Sequence, residues 1–526
     1  MTTRTRRAEV VAAWSTTIGV VAVSALIYTI ALGRAPIYLG WDEARFAVQA
    51  HAIATTGRDM VGARLPLFFY NIDPLMTGHD THVWWQPFQI YLTAAVFRIV
   101  PIAEWSTRLP MVALALVNVL LTAAIARRLF HGEWYGPLAA AFIALVPAHF
   151  LFGRQAMDYF CPLPFALAWL LCAERSLAAA PSARWTAATG IVLGAGVYSY
   201  VSSWLMMPFY WLVTATCLWR CGRPRHIVLL ALGSALPLLL LLPWLWLHPR
   251  MPAEMFLGYG AGIKAPFSER VTLYWDYFNP SYLFFSGGSE WMWATRRAGV
   301  FPLAFAALLP CGVCSLLRRG TPLPRRLLLV GFFSAPLAIV LTLPEAPVYA
   351  TARALLAIPF GVLMAVAGIE FLAEQPRPAA RLIAAVLALS VALQFVPFAR
   401  YYFGEYQQLS AFRYDGLNLR DAADVVVRAD EAARSPRIYL AQGVTTGESV
   451  QWQFHLTKRG RADLFARTSY FSAAAFDAGR IESGSLLILD AGNPALTRML
   501  DGNACSMVQT VSGATGMPAA AILRRN

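Results

Sequence analysis

The chain has 526 residues, 58% hydrophobic and only 14% charged, with a mean hydropathy of +0.52. Soluble globular domains run near 45–50% apolar and about 25% charged. The composition therefore excludes an ordinary soluble enzyme, a disordered chain and a disulfide scaffold, and leaves a polytopic membrane protein. The net charge of +14 would suggest a nucleic-acid partner in a soluble protein. Here, only Lys264 and Lys458 of the 43 basic residues are lysines, and many of the arginines lie between apolar runs. That is the marking of cytoplasmic loops, so no nucleic-acid partner is expected. Cys172, Cys217, Cys311 and Cys314 sit inside apolar runs and read as small packing residues. Neither a structural disulfide nor a cysteine metal site is predicted.

A spanning helix needs about 20 apolar residues. Candidates lie at roughly 10–32, 107–129, 136–152, 160–178, 186–203, 205–219, 226–247, 299–317, 325–343, 352–373 and 381–398. The first follows Arg4, Arg6 and Arg7, but its apolar run is too long for a signal peptide and is read as a retained span. The segment YLGWDEARFAVQAHAIATTGRD comes next, placing Asp42 and Glu43 where the chain leaves the bilayer, with Arg45 on an amphipathic stretch behind them. Desolvation there would help a carboxylate accept a proton from a hydroxyl. The plainer reading makes Asp42 the N-cap of the following helix.

The run from Gln86 to Pro101 decides the topology. If it spanned, Arg127–Arg128, Arg175 with Arg184, the Arg220/Arg223/Arg225 cluster, Arg318–Arg319 and Arg377 would all face away from the N-terminal arginines. If it lies on the outer surface, every cluster joins them in the cytoplasm, and the positive-inside rule selects this threading. The run is also short, interrupted by Arg98 and rich in aromatics, as an interfacial helix is. About 11 spans result, with the N-terminus inside and the loops 33–106, 153–159, 248–298 and 344–351 outside.

Asp158, in GRQAMDYF, then shares the outer face with Asp42, and Arg154 four residues earlier is its candidate ion-pair partner. Loop 248–298 carries YWDYFNPSYLFFSGGSEWMW, which reads as an interfacial aromatic belt or as a surface for stacking on sugar. After Arg400 the charges intersperse and the apolar runs shorten. A helix at 417–434, buried strands in RIYLAQ and SLLILDA and a helix around SVQWQFHLTKR predict a small outer α/β domain. The expected division is 1–399 for the membrane domain and 400–526 for the extracytoplasmic domain.

No Asp, Glu, Lys or Arg falls in the centre of a predicted span, whereas ion-coupled transporters need ionisable groups there. An enzyme at the outer membrane–water boundary is thus favoured over the competing reading, a lipid or polysaccharide transporter. A non-catalytic scaffold is a third possibility.

WDEARFAVQAHAIATTGRDMVGARLP resembles the first outer loop of the integral-membrane C-type (GT-C) glycosyltransferases. It is similar in particular to the protein O-mannosyltransferase and lipid A aminoarabinose transferase group. GRQAMDYF resembles the Arg-x-Ala-x-x-Asp opening their fourth span, and ATARALLAIPF their Arg-x-Leu-x-x-x-Pro segment. The resemblance implies an all-α GT-C membrane fold and transfer of a sugar from a polyprenyl-phosphate carrier to an unidentified envelope acceptor. Carried over, Asp42 would be the general base, Glu43 and Arg45 would orient it or touch substrate, and Asp158 would assist on the acceptor side. Arg353 would neutralise the departing phosphate, with Lys264 as a second contact; on position alone Arg353 is equally an interfacial anchor. The aminoarabinose branch carries Glu-Lys-Pro-Pro where this chain has THVWWQPFQIY. The nearby His79, Asp80 and His82 could hold a divalent metal or form a solvated loop, and no metal is assigned.

Overall fold

The computed structural model describes residues 3–71, 84–258, 265–342, 351–441 and 447–526. Lys264, His79, Asp80 and His82 lie outside the described residues.

Helix α1 (Thr3–Thr29) leads by a short link to α2 (Trp41–Thr56). A two-residue strand pair, β1 (Phe69–Tyr70) and β2 (Trp84–Trp85), precedes α3 (Pro87–Phe97). At eleven residues α3 is too short to span, and it packs against α2 through Phe46, Ala50, Ile90 and Ala94. The bundle continues with α4 (Glu104–Leu129), α5 (Tyr135–Leu145), α6 (Pro147–Phe152), α7 (Pro162–Ser176), α8 (Ala183–Gly196) and α9 (Ser203–Arg220). Next come α10 (Pro224–Leu238) and α11 (Leu241–Leu247), bent by 49° at their junction, then α12 (Met251–Gly258) and α13 (Phe267–Asp276). Helices α14 (Phe305–Leu317), α15 (Leu323–Ser334), α16 (Leu337–Thr342), α17 (Ala357–Ala373) and α18 (Pro378–Phe403) complete it.

All eleven predicted apolar segments contain helix, although proline breaks several. Pro147 separates α5 from α6, since it lacks the amide proton a continuous helix needs at that position. Among the described residues, three helices suffice by length and composition to cross a membrane, α1, α4 and α18, and the bent pair α10–α11 makes a fourth. The outward faces of α1 (Val11, Ile18, Leu26) and α18 (Leu382, Val386, Leu389, Leu393) are exposed leucine, isoleucine and valine, as surfaces turned to lipid are.

Small residues let the helices approach closely. A Cβ on Gly312 of α14 would overlap the carbonyl oxygen of Met364 on α17, and one on Gly368 would overlap that of Leu308. Backbones at this separation gain dispersion contacts that larger residues would forbid, which matters where lipid removes the hydrophobic drive between helices.

Helix α18 runs four residues past the expected boundary, and α19 (Glu405–Tyr414) and α20 (Leu419–Ala432) follow. A five-stranded sheet comes next, in the order β4-β3-β5-β7-β6, from β3 (Ile438–Ala441), β4 (Thr468–Phe471), β5 (Leu486–Asp490), β6 (Cys505–Ser512) and β7 (Pro518–Arg525). The first three are parallel and the last two form an antiparallel hairpin. Side chains alternate across β5. Leu486 and Ile488 meet α20 and α21 (Glu448–Lys458), while Leu487 and Leu489 meet Met499 on the other face. The helices of 417–434 and SVQWQFHLTKR and the strands of RIYLAQ and SLLILDA are all present; β4 and the closing hairpin are additional to the sequence reading.

Candidate active site

The first turn of α2 carries the central acids. Gly40 is its N-cap, and Glu43 reaches back to accept from the Gly40 amide at 2.9 Å. The capping reading of Asp42 is therefore corrected. Asp42 is the second helical residue, and Glu43 does the capping.

Glu43 is fully buried, with both oxygens occupied. Arg108 of α4 donates Nε to Oε1 at 2.8 Å and Nη2 to Oε2 at 3.0 Å, and the Ala156 amide donates to Oε1 at 2.8 Å. No lone pair points outward for a ligand. Glu43 thus forms a brace joining α2, α4 and the loop before Asp158.

Asp42 is held differently. Arg45 donates Nη1 to Oδ1 at 2.7 Å, and Tyr159 donates its hydroxyl to Oδ2 at 3.1 Å. The Arg45 guanidinium lies over the Trp85 ring, 4.9 Å from its centroid, which fixes it from the side away from Asp42. Arg45 is itself buried, so the structure places it as a holder of Asp42.

The loop bearing Asp158 is tied on several sides. Gln89 of α3 donates to the Ala156 carbonyl, and Gln155 donates to the Met292 carbonyl and the Tyr414 hydroxyl, each at 2.9 Å. Arg154 does not pair with Asp158. It donates to the carbonyls of Ile27, Tyr28, Ile30 and Ala35 around the end of α1. The proposed ion pair is overturned because a helix terminus offers a buried guanidinium several unsatisfied carbonyls at once.

Asp158 is buried, and its Oδ2 has no hydrogen-bond partner among the described residues. Burial, and then the neighbouring Asp42 charge, push its carboxyl well above the usual range, against its own backbone amide and Arg353. Burial and Asp42 likewise push the Tyr159 phenol up, so it remains a donor. The Tyr159 ring meets Tyr200 edge-on at 5.2 Å and Trp293 at 6.4 Å.

Arg353 stands in a short 3₁₀ turn, Thr351–Arg353, that packs against the turn carrying Asp158. It is half-buried and, among the described residues, has no hydrogen-bond or ion-pair partner. Asp158 and Tyr159 both feel its charge. Three residues chosen separately, Asp42, Asp158 and Arg353, are thus brought to one place. Tyr159, Tyr200 and Arg108 were not singled out. Tyr159 had a local signal in its adjacency to Asp158, whereas Arg108 had none, because its partner lies 65 residues away.

Residues 86–246 match the family model of dolichyl-phosphate-mannose-protein mannosyltransferase. No curated protein sequence matches the chain. Among solved structures, ArnT from Cupriavidus metallidurans in the apo state superposes with a TM-score of 0.59 at 16% identity, over 97% of this chain and 98% of that one. The same protein bound to undecaprenyl phosphate gives 0.57 at 17% identity, over 96% and 97%. The chain thus shares its fold with the ArnT structures over nearly its whole length, and the stretch that matches the mannosyltransferase family model lies inside that fold.

Proposed function

We propose that the chain transfers a sugar from a polyprenyl-phosphate carrier to an acceptor hydroxyl on the outer face of the inner membrane. The carrying observation is the juxtaposition of three groups. Asp42 is a carboxylate held at both oxygens by Arg45 and Tyr159; beside it are Asp158, whose carboxyl burial pushes well above the usual range, and the guanidinium of Arg353, which has no hydrogen-bond or ion-pair partner among the described residues. The ArnT structure with undecaprenyl phosphate supports the choice of carrier.

Asp42 accepts the acceptor's hydroxyl proton as that oxygen attacks the anomeric carbon. The bond from that carbon to the phosphate oxygen breaks, its electron pair leaves with the phosphate, and the configuration inverts. Arg353 balances the charge gathering on the departing phosphate, where a planar fork suits two oxygens. A phosphate leaves readily, so no strong general acid is required. Asp158, whose carboxyl burial and the Asp42 charge push upward, assists on the acceptor side, and two carboxyls in divergent environments suit different roles. We assign the eleven apolar segments as spans, with the N-terminus cytoplasmic and residues after Arg400 outside.

The test is transfer of radiolabelled sugar from polyprenyl-phosphate donors into membrane extract by the purified protein. Labelled product that requires both the protein and the lipid donor is expected. Absence of transfer from every donor, together with movement of lipid-linked sugar across vesicles, would replace this reading with the transporter.

A further inference from the structure

The link before Asp42 is gripped from two sides. Arg108, from the membrane bundle, donates to the carbonyls of Pro36 at 2.8 Å and Tyr38 at 2.7 Å. The intervening carbonyls are taken by residues of the C-terminal α/β unit. Arg420 of α20 donates to Ile37 at 3.0 Å and lies over the Tyr38 ring at 5.0 Å, and Gln451 of α21 donates to Leu39 at 2.8 Å. Gln451 is buried and also donates to the Tyr414 carbonyl. Gly447, just before α21, sits so close to Trp41 that an added Cβ would overlap that residue's Cβ. Four consecutive carbonyls, 36 to 39, are thus fixed alternately by the two halves of the molecule, and the next two residues, Gly40 and Trp41, open the helix that bears Asp42.

We infer that Arg420 and Gln451 are positioning residues for Asp42, so that the outer unit completes the active site instead of merely covering it. The inference rests on the reading of Asp42 as the base. A displacement of about 1 Å in a reacting group can cost about a hundredfold in rate, so a loosened link acts on kcat before it acts on substrate binding.

The test uses the full-length protein with Gln451→Met, which keeps the volume and removes the donor, and with Arg420→Ala and Arg420→Lys. Lys458→Gln is the control, since it breaks the Lys458–Glu104 docking pair without touching residues 36–41. Two quantities are read: hydrogen exchange in the peptide spanning 36–44, and sugar transfer from undecaprenyl-phosphate donors. Exchange is expected to quicken about tenfold in Gln451→Met and Arg420→Ala at an unchanged melting temperature. kcat should fall about tenfold, with KM within about twofold. Arg420→Lys, which keeps a donor for Ile37, should recover most of the loss, and Lys458→Gln should show neither effect. Should Gln451→Met not fold, the Arg420 pair decides alone, because that side chain is 26% exposed. Unchanged exchange, or an equal change in Lys458→Gln, would overturn the inference. Quickened exchange with no transfer by the wild type would leave the grip standing and remove the base role of Asp42.

Discussion

Asp42 and Glu43 are adjacent carboxylates with opposite surroundings. Glu43 spends both oxygens on Arg108 and two backbone amides, while Asp42 is held by one guanidinium and one phenol at the edge of the site. Glu43→Gln should leave Arg108 buried and short of its counter-charge, which costs about 3–5 kcal/mol for a broken buried pair. A thermal melt in detergent would show this as a large loss of stability; an unchanged midpoint would contradict the brace assignment. Asp415, which joins α19 to α20, gives a pH prediction. Burial raises its carboxyl to about 7, against backbone amides and Arg420 that favour the anion. The neutral form is the one the fold prefers, so its contribution is full below the unfolded pKa of about 3.9. It declines by up to about 1.4 kcal/mol per pH unit until pH reaches about 7. Asp415→Asn should flatten that slope in melts taken from pH 5 to 8, and an equally steep slope in the variant would contradict it. Asp42 and Asp158 stood out in the sequence as charges placed at a bilayer edge, where an idle charge is costly, whereas Arg353 was marked only by the family resemblance and on position alone was equally an anchor. The task of Arg108 was not legible, because a guanidinium near a span end looks like an anchor until its partner is located.

Among the elements, α2 was legible from its amphipathic pattern, but its cap was not: the signals are Gly40, Glu43 three positions on and a closing Gly57 with φ +68, where the acid next to Glu43 drew the eye instead. The 86–101 run could be set aside as a span because Arg98 and its length cut it short. Proline breaks such as the one before α6 split predicted spans into shorter helices, which hydropathy averages over. β6 escaped detection because most of its side chains are exposed and a register shift interrupts its alternation. β7, PAAAILRR, offers small residues where a strand signal needs branched or aromatic ones. Helix contacts made by glycine are testable. Gly312→Val would press side-chain atoms into the Met364 backbone and force α14 away from α17, a destabilisation of about 1–3 kcal/mol or more. A melt that does not fall would show the two helices to be farther apart than described.

At the scale of the molecule, arginine clusters alternate with acidic and aromatic loops, so charge alone predicts which side is which. Cys221 lies exposed at the end of α9 within the Arg220/Arg223/Arg225 cluster. In a variant retaining Cys221 alone, a membrane-impermeant maleimide should leave intact spheroplasts unlabelled and label lysed ones; labelling before lysis would reverse the threading. The C-terminal unit packs α21 along α2, so chain segments more than 400 residues apart meet at the link before Asp42. No local pattern announces a contact of that separation. The central claim is that Asp42 takes the acceptor's proton. It is tested most directly by comparing sugar transfer from a polyprenyl-phosphate donor by the wild type and Asp42→Asn, at matched amounts of folded protein. The asparagine keeps the size and the hydrogen bond to Tyr159 but cannot serve as a base, so transfer should fall by about 10²-fold or more while the melting midpoint stays within a few degrees. Equal transfer by the two proteins would contradict the assignment.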